Sequence, residues 1–494
     1  MLKPVLFLHR WLGVVIGLLM TIWCLSGFVM MYVDYPRLSP AERLQGLEPL
    51  QLPTAATFER LDLPADAALT STRIEMLAGH PVMRITPSFS FEQPVSEIPA
   101  IPSIIDLRSG TELPMLSQSD IGAVAASFGR QSHLTGAVSH LAETPIDQWS
   151  LQVYQRNAPL FRADFDDAAG TQIYISGAHG EVVQQTTRFE RFWGWLGAVP
   201  HWLYPTMLRQ NGPLWSQVVI WTSLAGCFLT ATGLWTGVAR LKRQRDGKIA
   251  SPYRGLWWWH HVFGLFFGIL TLTWVASGLF SVHPWGFLDS MAGFDERQKL
   301  SGDLDWGEVQ KGLVALRSLP HDTVQIETAP LAGRLYFLAT DRSGKSVRYD
   351  ANGRVSILGE RELRAALRPL HASRLERLTH EDSYYYAHKF PVLLPVWRAR
   401  LDDPGQTLLY INPVSGQLNR AVDRNGRGFR WLQEGLHSLD FPILRSRPLW
   451  DLVVVPLLAM VTAVCATGTW MAWNKTRRDV RIFARRRRRK RATA

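Results

Sequence analysis

The chain has 494 residues, of which 47% are hydrophobic and 19% are charged, and its formal net charge is +12 at pH 7. Its three cysteines show no CxxC spacing, which excludes a disulfide scaffold, a thiolate metal cluster and covalent c-type haem attachment. No GxGxxG or P-loop sequence occurs, which excludes a nucleotide-binding fold of the kinds that those motifs mark.

Four apolar runs are each long enough to cross a bilayer, which takes ~20 helical residues. In chain order they are residues 12–33, 213–239, 256–282 and 449–473. The first run is followed by Asp34-Tyr35-Pro36-Arg37 and not by a small-residue cleavage motif. We therefore interpret it as a retained anchor and not as a signal peptide.

The basic residues predict how these spans are oriented. Residues 475–494 contain eleven Lys or Arg against one Asp, and residues 240–254 contain six against one Asp. The positive-inside rule places both termini and the 240–254 linker in the cytoplasm, with 34–212 and 283–448 on the other side of the membrane. The positive charge then indicates topology and not a nucleic-acid partner, and we expect the 485–491 arginine run to contact anionic membrane lipid.

The two long external segments combine short alternating runs, typical of strands, with helical stretches. The predicted fold class is a membrane α-helical four-helix bundle, made of two pseudo-symmetric transmembrane hairpins, with two α+β periplasmic domains. The predicted segments are 1–33 (cytoplasmic N-terminus and first span), 34–212 (first periplasmic domain), 213–239 (second span), 240–255 (basic cytoplasmic linker), 256–282 (third span), 283–448 (second periplasmic domain), 449–473 (fourth span) and 474–494 (arginine-rich cytoplasmic tail).

Part of the chain is present twice. The residues His9, Gly13, Gly17, Trp23, Ser26 and Gly27 recur 251 positions later as His260, Gly264, Gly268, Trp274, Ser277 and Gly278. Between residues 159 and 201, fourteen of 43 positions are identical to those 236 positions later, ending with His201 and His437. A pseudo-twofold repeat puts equivalent residues at equal depth on facing elements. Two facing histidines at one depth are what a six-coordinate haem iron requires.

His9 and His260 form the first candidate couple. On an ideal helix, the glycines that follow each histidine lie along the same stripe, where a flat, bulky group could approach the backbone. The alternative is helix packing through small residues. The duplication of histidine and glycines together favours ligation. His261 could replace His260 if the helix is rotated by one residue.

His201 and His437 form the second candidate couple. Each follows an arginine- and aromatic-rich stretch that predicts a helix on the outer membrane surface, and each precedes a Pro-Leu-Trp triplet that opens a span. The alternative is a histidine in an interfacial aromatic belt. His283, at the outer end of the third span, is a further candidate ligand for the outer site.

Zinc and copper fit these histidines less well, because tetrahedral sites need three or four close ligands and the spans offer almost no carboxylates. Two imidazoles beside an apolar, glycine-lined slot are better suited to b-type haem, with two haems per chain. On charge alone, Arg10 and Arg209 are candidate partners for the haem propionates.

These residues resemble the PepSY-associated transmembrane family, whose members include bacterial inner-membrane ferric-siderophore reductases. The resemblance rests on Leu8-His9-Arg10-Trp11-Leu12-Gly13, on His260-His261-x2-Gly264, and on a Tyr-Ile turn that leads in each half to an arginine-rich helix and a histidine. It implies PepSY-like periplasmic domains and haem held by histidines at the positions of His9, His201, His260 and His437. Some members are fused to a flavoprotein reductase module, whereas this chain ends in a basic tail, so the cytoplasmic electron donor is not identified.

We therefore expect an oxidoreductase that passes electrons outward through haem to a ferric siderophore or a similar iron chelate, and we predict no separate catalytic residue. Two alternatives stay open. One is a non-enzymatic PepSY membrane protein that binds or inhibits a periplasmic partner. The other is a haem conduit that delivers electrons to quinone or to a periplasmic redox protein.

Overall fold

The computed structural model describes residues 2–65, 67–87, 103–387 and 391–492, and within these ranges it describes the side chains of residues 3–484. The arginine run at 485–491, predicted to contact lipid, has its side chains outside this description. The helices are α1 (Leu2–Met30), α2 (Pro40–Gln45), α3 (Ala55–Glu59), α4 (Gln118–Gln131), α5 (Tyr154–Asn157), α6 (Arg188–Leu196), α7 (Ala198–His201), α8 (Thr206–Arg209), α9 (Gly212–Arg240), α10 (Leu256–Phe280), α11 (Phe294–Ser301), α12 (Trp306–Ala315), α13 (Glu360–Ala366), α14 (Arg424–Phe429), α15 (Leu436–Ser438) and α16 (Leu449–Ala492). A π-helical turn, Arg430–Gly435, joins α14 to α15.

The strands are short. They are β1 (Ala68–Leu77), β2 (His80–Pro87), β3 (Ile104–Asp106), β4 (Thr111–Glu112), β5 (Val138–Thr144), β6 (Leu160–Phe165), β7 (Gln172–Ser176), β8 (Val182–Thr186), β9 (Lys242–Arg243), β10 (Ile249–Ala250), β11 (Leu304–Asp305), β12 (Thr323–Thr328), β13 (Tyr336–Asp341), β14 (Ser346–Asp350), β15 (Ala372–Leu378), β16 (Val396–Leu401), β17 (Leu408–Ile411) and β18 (Leu418–Val422).

The chain divides into two compact units. The helical unit contains Met1–Tyr35, Phe192–Asp289 and Arg427–Ala494. The sheet unit contains Pro36–Arg191 and Ser290–Gly426. Each unit therefore takes segments from both halves of the chain.

Four helices of the helical unit, α1, α9, α10 and α16, are long and apolar enough to cross a membrane. Helices α1 and α10 each pack against both α9 and α16. The buried centre of this packing is formed by Met20 of α1, Leu229 of α9, and Val461 and Cys465 of α16. Because α1 begins at Leu2 and not at residue 12, His9 lies within the helix.

The sheet unit is centred on an antiparallel sheet with the strand order β14-β13-β12-β1-β2-β3-β4, and β11 pairs with the start of β1. The middle of the sheet is the pair β1 and β12, in which Ile74 lies opposite Ile326. On one side of this pair the strands β1 to β4 come from the first half of the chain, and on the other side β12 to β14 come from the second half. The core under this sheet likewise mixes residues of both halves, including Leu69 and Phe337.

Each half also builds its own four-stranded antiparallel sheet, β5-β6-β7-β8 in the first half and β15-β16-β17-β18 in the second. The repeated tyrosines have the same role in both sheets. The hydroxyl of Tyr174 donates to Asp147 at 2.7 Å, and that of Tyr410 donates to Asp382 at 2.8 Å. Burial, together with the neighbouring carboxylate, raises the pKa of both tyrosines. The two repeated tyrosines therefore have a structural role.

The predicted fold class is wrong. The chain is not a four-helix bundle with two separate α+β domains, because its described residues form many further helices and several antiparallel sheets, and both external segments join in one unit with a shared sheet. Alternating patterns predict individual strands, but they carry no information on pairing between residues as distant in the chain as Ile74 and Ile326.

Candidate functional site

His9 projects from α1 towards α9. Its Nδ1 lies 3.1 Å from the backbone carbonyl oxygen of Leu229 and 3.4 Å from the hydroxyl of Thr232. A carbonyl oxygen only accepts hydrogen bonds, so Nδ1 carries the proton and donates it to Leu229. In the neutral ring, Nε2 is then the nitrogen with a lone pair.

His260 repeats this arrangement on α10. Its Nδ1 lies 3.2 Å from the carbonyl oxygen of Val464 and 3.2 Å from the hydroxyl of Thr467, both on α16. Val464 and Thr467 are separated by the same spacing as Leu229 and Thr232 and are their counterparts in the second half. The two rings therefore have equivalent supports in the two halves.

A glycine underlies each of these rings. A Cβ added to Gly233 would lie 2.7 Å from Cε1 of His9, and a Cβ added to Gly468 would lie 2.7 Å from Cε1 of His260. Both glycines were missed in the sequence. They belong to a third repeated motif, Ala-Thr-Gly-x-Trp, at 231–235 and 466–470, which is the signal that could have identified them.

His9 and His260 line one cavity of about 530 Å³. The wall between them is largely apolar and rich in glycine: it includes Gly13, Gly17, Gly233, Gly237, Gly264, Gly268 and Gly468. A Cβ at Gly264 would meet no described atom within 4 Å, so this glycine faces open space. The volume is within the range of sites for small organic ligands, ~300–1,000 Å³.

Four cationic side chains also line the cavity: Lys3, Arg10, Arg240 and Lys475. Arg10 is paired with Asp479 at 2.9 Å. Arg240 and Lys475 follow the two copies of the Ala-Thr-Gly-x-Trp motif at the same spacing, so they occupy equivalent repeat positions. The pair Arg240 and Lys475 was not predicted from the sequence.

His201 and His437 form a second couple at the other end of the long helices. The Nδ1 of His201 lies 3.0 Å from the carbonyl oxygen of Trp23 and 3.1 Å from the hydroxyl of Ser26. The Nδ1 of His437 lies 3.1 Å from the carbonyl oxygen of Trp274 and 3.2 Å from the hydroxyl of Ser277. The carbonyls again fix Nδ1 as the donor.

The rings of His201 and His437 are close together. Their centroids are 6.0 Å apart and their planes are inclined by 64°. Two imidazoles that bind one metal from opposite sides, with metal–nitrogen distances of ~2 Å, have ring centres about 6 Å apart. The distance between the ring centres therefore matches that of two imidazoles on one metal ion.

Gly27 and Gly278 give the second couple its space. A Cβ on Gly27 would lie 3.7 Å from Cε1 of His201, and a Cβ on Gly278 would lie 3.3 Å from Cε1 of His437. All four histidines thus share one pattern, in which Nδ1 donates to a helix carbonyl and the ring rests on a glycine of that helix. Ligating histidines usually donate their second N–H in this way.

His261 and His283 have different surroundings. His261 lines the same cavity as His260, but it is its Nε2 that donates, to Gly237 at 2.8 Å. His283 stacks on Phe429, with ring centroids 4.7 Å apart and planes inclined by 14°. Neither residue shares the pattern of the four paired histidines.

Arg209, a candidate propionate partner, lies over two aromatic rings. Its guanidinium carbon is 5.0 Å from the ring centre of Tyr204 and 4.7 Å from that of Trp215. Its counterpart in the second half is Arg445, at the same distance from His437 along the chain as Arg209 is from His201. The contacts seen for Arg209 are cation–π contacts.

The four apolar helices, with two histidine couples between them, define a membrane protein. The family described as the PepSY-associated TM region matches residues 6–379, and the chain belongs to this family. The resemblance found in the sequence is thereby confirmed. No curated protein matches the chain.

Proposed function

We propose that this protein is a b-type haem protein of the bacterial inner membrane, which passes electrons across the bilayer to reduce an iron chelate outside. The observation that carries the proposal is the fourfold histidine pattern. His9, His260, His201 and His437 each donate Nδ1–H to a backbone carbonyl. This sets Nε2 as the ligating nitrogen in two repeat-related couples.

The surroundings of the first couple support haem over a bare metal ion. A cavity of about 530 Å³ with a mainly apolar wall suits a large planar ligand, and the glycines let it approach the helix backbones. When bound, haem supplies one-electron chemistry at its iron. His9 and His260 would hold its iron, and the mainly apolar wall would exclude water and lower the dielectric around the site.

Repeat symmetry also indicates which cations hold the two propionates. A group held equally by His9 and His260 would lie near the pseudo-twofold axis, and its two carboxylates could then be bound by residues at equivalent repeat positions. Arg240 and Lys475 are such positions and line the same cavity. Arg10 and Lys475 both pair with Asp479 in this structure. We assign the propionates of this haem to Arg240 and Lys475 and not to Arg10, because the repeat position of Arg10 in the second half is the histidine His261.

Electron transfer across the bilayer would need two haem sites, one at each of the histidine couples, which lie far apart along the helices. Trp23, whose carbonyl supports His201, follows His9 by 14 residues on α1. At ~1.5 Å per helical residue this is about 21 Å. A haem at each end of the helices would span most of a hydrocarbon layer that is ~30 Å thick.

The proposed acceptor is a ferric siderophore or a similar chelate, and the donor is a cytoplasmic reductant. One electron converts ferric to ferrous iron, which hard oxygen ligands hold less tightly, so the iron is released and the chelator stays intact. The basic linker and tail support an orientation with both termini in the cytoplasm. Reporter fusions at residue 246 and at the C-terminus should both report the cytoplasm, and a periplasmic signal from either would contradict this orientation.

The decisive experiment is a reduced-minus-oxidised visible spectrum of the purified full chain, with haem counted per chain. We expect sharp α and Soret bands, about two haems per chain, and reoxidation of the reduced protein by a ferric tris-hydroxamate with formation of ferrous iron. A blank spectrum would favour a PepSY protein that binds a periplasmic partner. If a quinone reoxidises the reduced haem protein and ferric chelates do not, the result would favour a conduit to another acceptor.

A further inference from the structure

Two tryptophans occupy repeat-equivalent positions between the histidine couples. They are Trp23 of α1 and Trp274 of α10. Each provides its carbonyl to one histidine of the second couple, Trp23 to His201 and Trp274 to His437. The backbone of each tryptophan is therefore in direct contact with a proposed ligand.

The side chains of these tryptophans pack against residues that line the other site. Both indoles pack against the buried cluster of Met20, Leu229 and Cys465 with Val461. Three members of that cluster, Met20, Leu229 and Cys465, also line the cavity of His9 and His260. The indoles and this cluster thus form a continuous packed path from one couple to the other.

The nitrogen ends of both indoles are turned inward. The Nε1 atoms of Trp23 and Trp274 are buried and have no hydrogen-bond partner among the described residues. A buried indole N–H usually finds an acceptor, and leaving it unpaired costs ~1–3 kcal/mol. Hydrogen bonding of the indole nitrogen therefore does not account for the position of either ring.

We propose that Trp23 and Trp274 provide electronic coupling for electron transfer between the two haem sites, an inference that rests on the proposed function. One electron leaves a ferrous iron held by His9 and His260 and reduces a ferric iron held by His201 and His437. The indoles are neither oxidised nor reduced in this step. Their conjugated rings provide electronic coupling across a distance that aliphatic side chains would bridge less well.

The chain provides a matched control. Trp235 of α9 and Trp470 of α16 are a second repeat-equivalent pair, since each ends one copy of the Ala-Thr-Gly-x-Trp motif. Their side chains are 47% and 61% exposed on the outside of the helices. Substituting this pair changes the same residue type in the same membrane segment without touching the path between the couples.

The test is stopped-flow reoxidation of the fully reduced, full-length protein by an excess of ferric tris-hydroxamate. Oxidation of the outer haem, at His201 and His437, requires no electron transfer between the sites. Oxidation of the inner haem, at His9 and His260, does require it. In the double variant Trp23→Leu/Trp274→Leu we expect the rate constant of the slow phase to fall severalfold. If the wild type shows a single phase, a separate slow phase should appear in this variant. The rate constant of the fast phase should stay unchanged. Trp23→Phe/Trp274→Phe keeps an aromatic ring and most of the packing, and should give a smaller decrease.

Haem content and the electron paramagnetic resonance spectrum of the ferric protein show whether a slower phase comes from altered haem sites or from slower electron transfer between intact sites. Both should equal those of the wild type in the Phe double variant, and Trp235→Leu/Trp470→Leu should leave both kinetic phases unchanged. Unchanged phases in the Leu double variant, or equal slowing in the control pair, would overturn the inference and leave the proposed function standing. A wild-type protein without haem would overturn the proposed function itself.

Discussion

The four paired histidines are defined by a backbone feature. Each Nδ1 faces a carbonyl oxygen that lies one turn from a glycine, as Leu229 does from Gly233 and Trp23 from Gly27. The glycine lets the ring approach the helix, and the carbonyl then selects the tautomer. The sequence predicted all four histidines through the repeat, but it could not predict which nitrogen each would use.

Single substitutions of the first couple test the pairing. His9→Ala and His260→Ala should each remove about half of the haem, because a bis-histidine site loses its iron coordination when one ligand is missing. Haem at His201 and His437 should remain. The measurement is the haem-to-chain ratio of the purified variants.

His261→Ala and His283→Ala are the controls for these variants. Both residues have surroundings unlike those of the four paired histidines, so haem content should stay at the wild-type level. If His261→Ala loses haem and His260→Ala retains it, the ligand of the first site is His261. Loss of all haem in His9→Ala would contradict independent couples.

Gly264 gives a second test at this scale. A Cβ at this position would meet no described atom within 4 Å, and Gly264 lines the cavity of His9 and His260. Gly264→Leu should occupy part of the cavity and remove about half of the haem, and the fold should stay intact because the new side chain begins in open space. Gly264→Ala should have a smaller effect.

Gly359→Leu is a control for the cavity variant. It also introduces a side chain where no described atom lies within 4 Å, but at the start of α13 in the sheet unit. We expect full haem content and an unchanged thermal unfolding midpoint. Equal haem loss in Gly264→Leu and Gly359→Leu would argue against a haem in the cavity.

Among the elements, apolar length predicted the four long helices, and alternation predicted strands such as β7 and β17. The ends of the helices were less predictable. α1 begins at Leu2, because helix continues through polar residues such as Arg10, whose charge is balanced by Asp479 of α16. The pairing of β1 with β12 could not be predicted either, since it depends on a contact between halves.

This strand pairing predicts that neither half folds alone. Residues 1–250 contain β1 but not β12, so that fragment would expose the edge of a strand whose Ile74 is fully buried in the intact chain. Expressed separately, fragments 1–250 and 251–494 should aggregate or be degraded. Expressed together with a tag on one of them, they should co-purify and bind haem. Stable, monomeric single fragments would contradict the shared sheet.

At the scale of the whole molecule, the sheet unit contains a buried ion-pair cluster centred on Glu75. Burial raises the pKa of Glu75, but the guanidinium groups of Arg84, Arg43 and Arg73 lower it more, to about 2 from a usual 4.5. Arg84 Nε lies 2.6 Å from one carboxylate oxygen and Arg43 Nη2 lies 2.5 Å from the other. Glu181 adds a second acidic partner to Arg43 and Arg73.

The sign of the pH effect follows from the lowered pKa. The ionised carboxylate stabilises the folded state fully above the unfolded pKa of 4.5, and this contribution is lost as the pH falls from there towards about 2. At neutral pH it is on the order of 3 kcal/mol. Glu75→Gln should lower the thermal unfolding midpoint at pH 7 and reduce its fall between pH 5 and pH 3.

The control for this prediction is Glu360→Gln. Glu360 pairs with Arg364 on the surface of α13, and both side chains are at least half exposed. Such pairs contribute ~0–1 kcal/mol, so this variant should unfold like the wild type at every pH. A Glu75→Gln variant with the full acid sensitivity of the wild type would assign that sensitivity to other carboxylates.

The pairing of β1 with β12 has a consequence for the origin of the protein. Ile74 faces Ile326, its counterpart in the other half, so the sheet is continued across the pseudo-twofold axis by two copies of one hairpin. Both histidine couples likewise take one member from each half. A polypeptide of one half would complete the sheet and the couples only as a homodimer, so the duplicated chain has the architecture of a dimer whose two subunits are joined in one polypeptide.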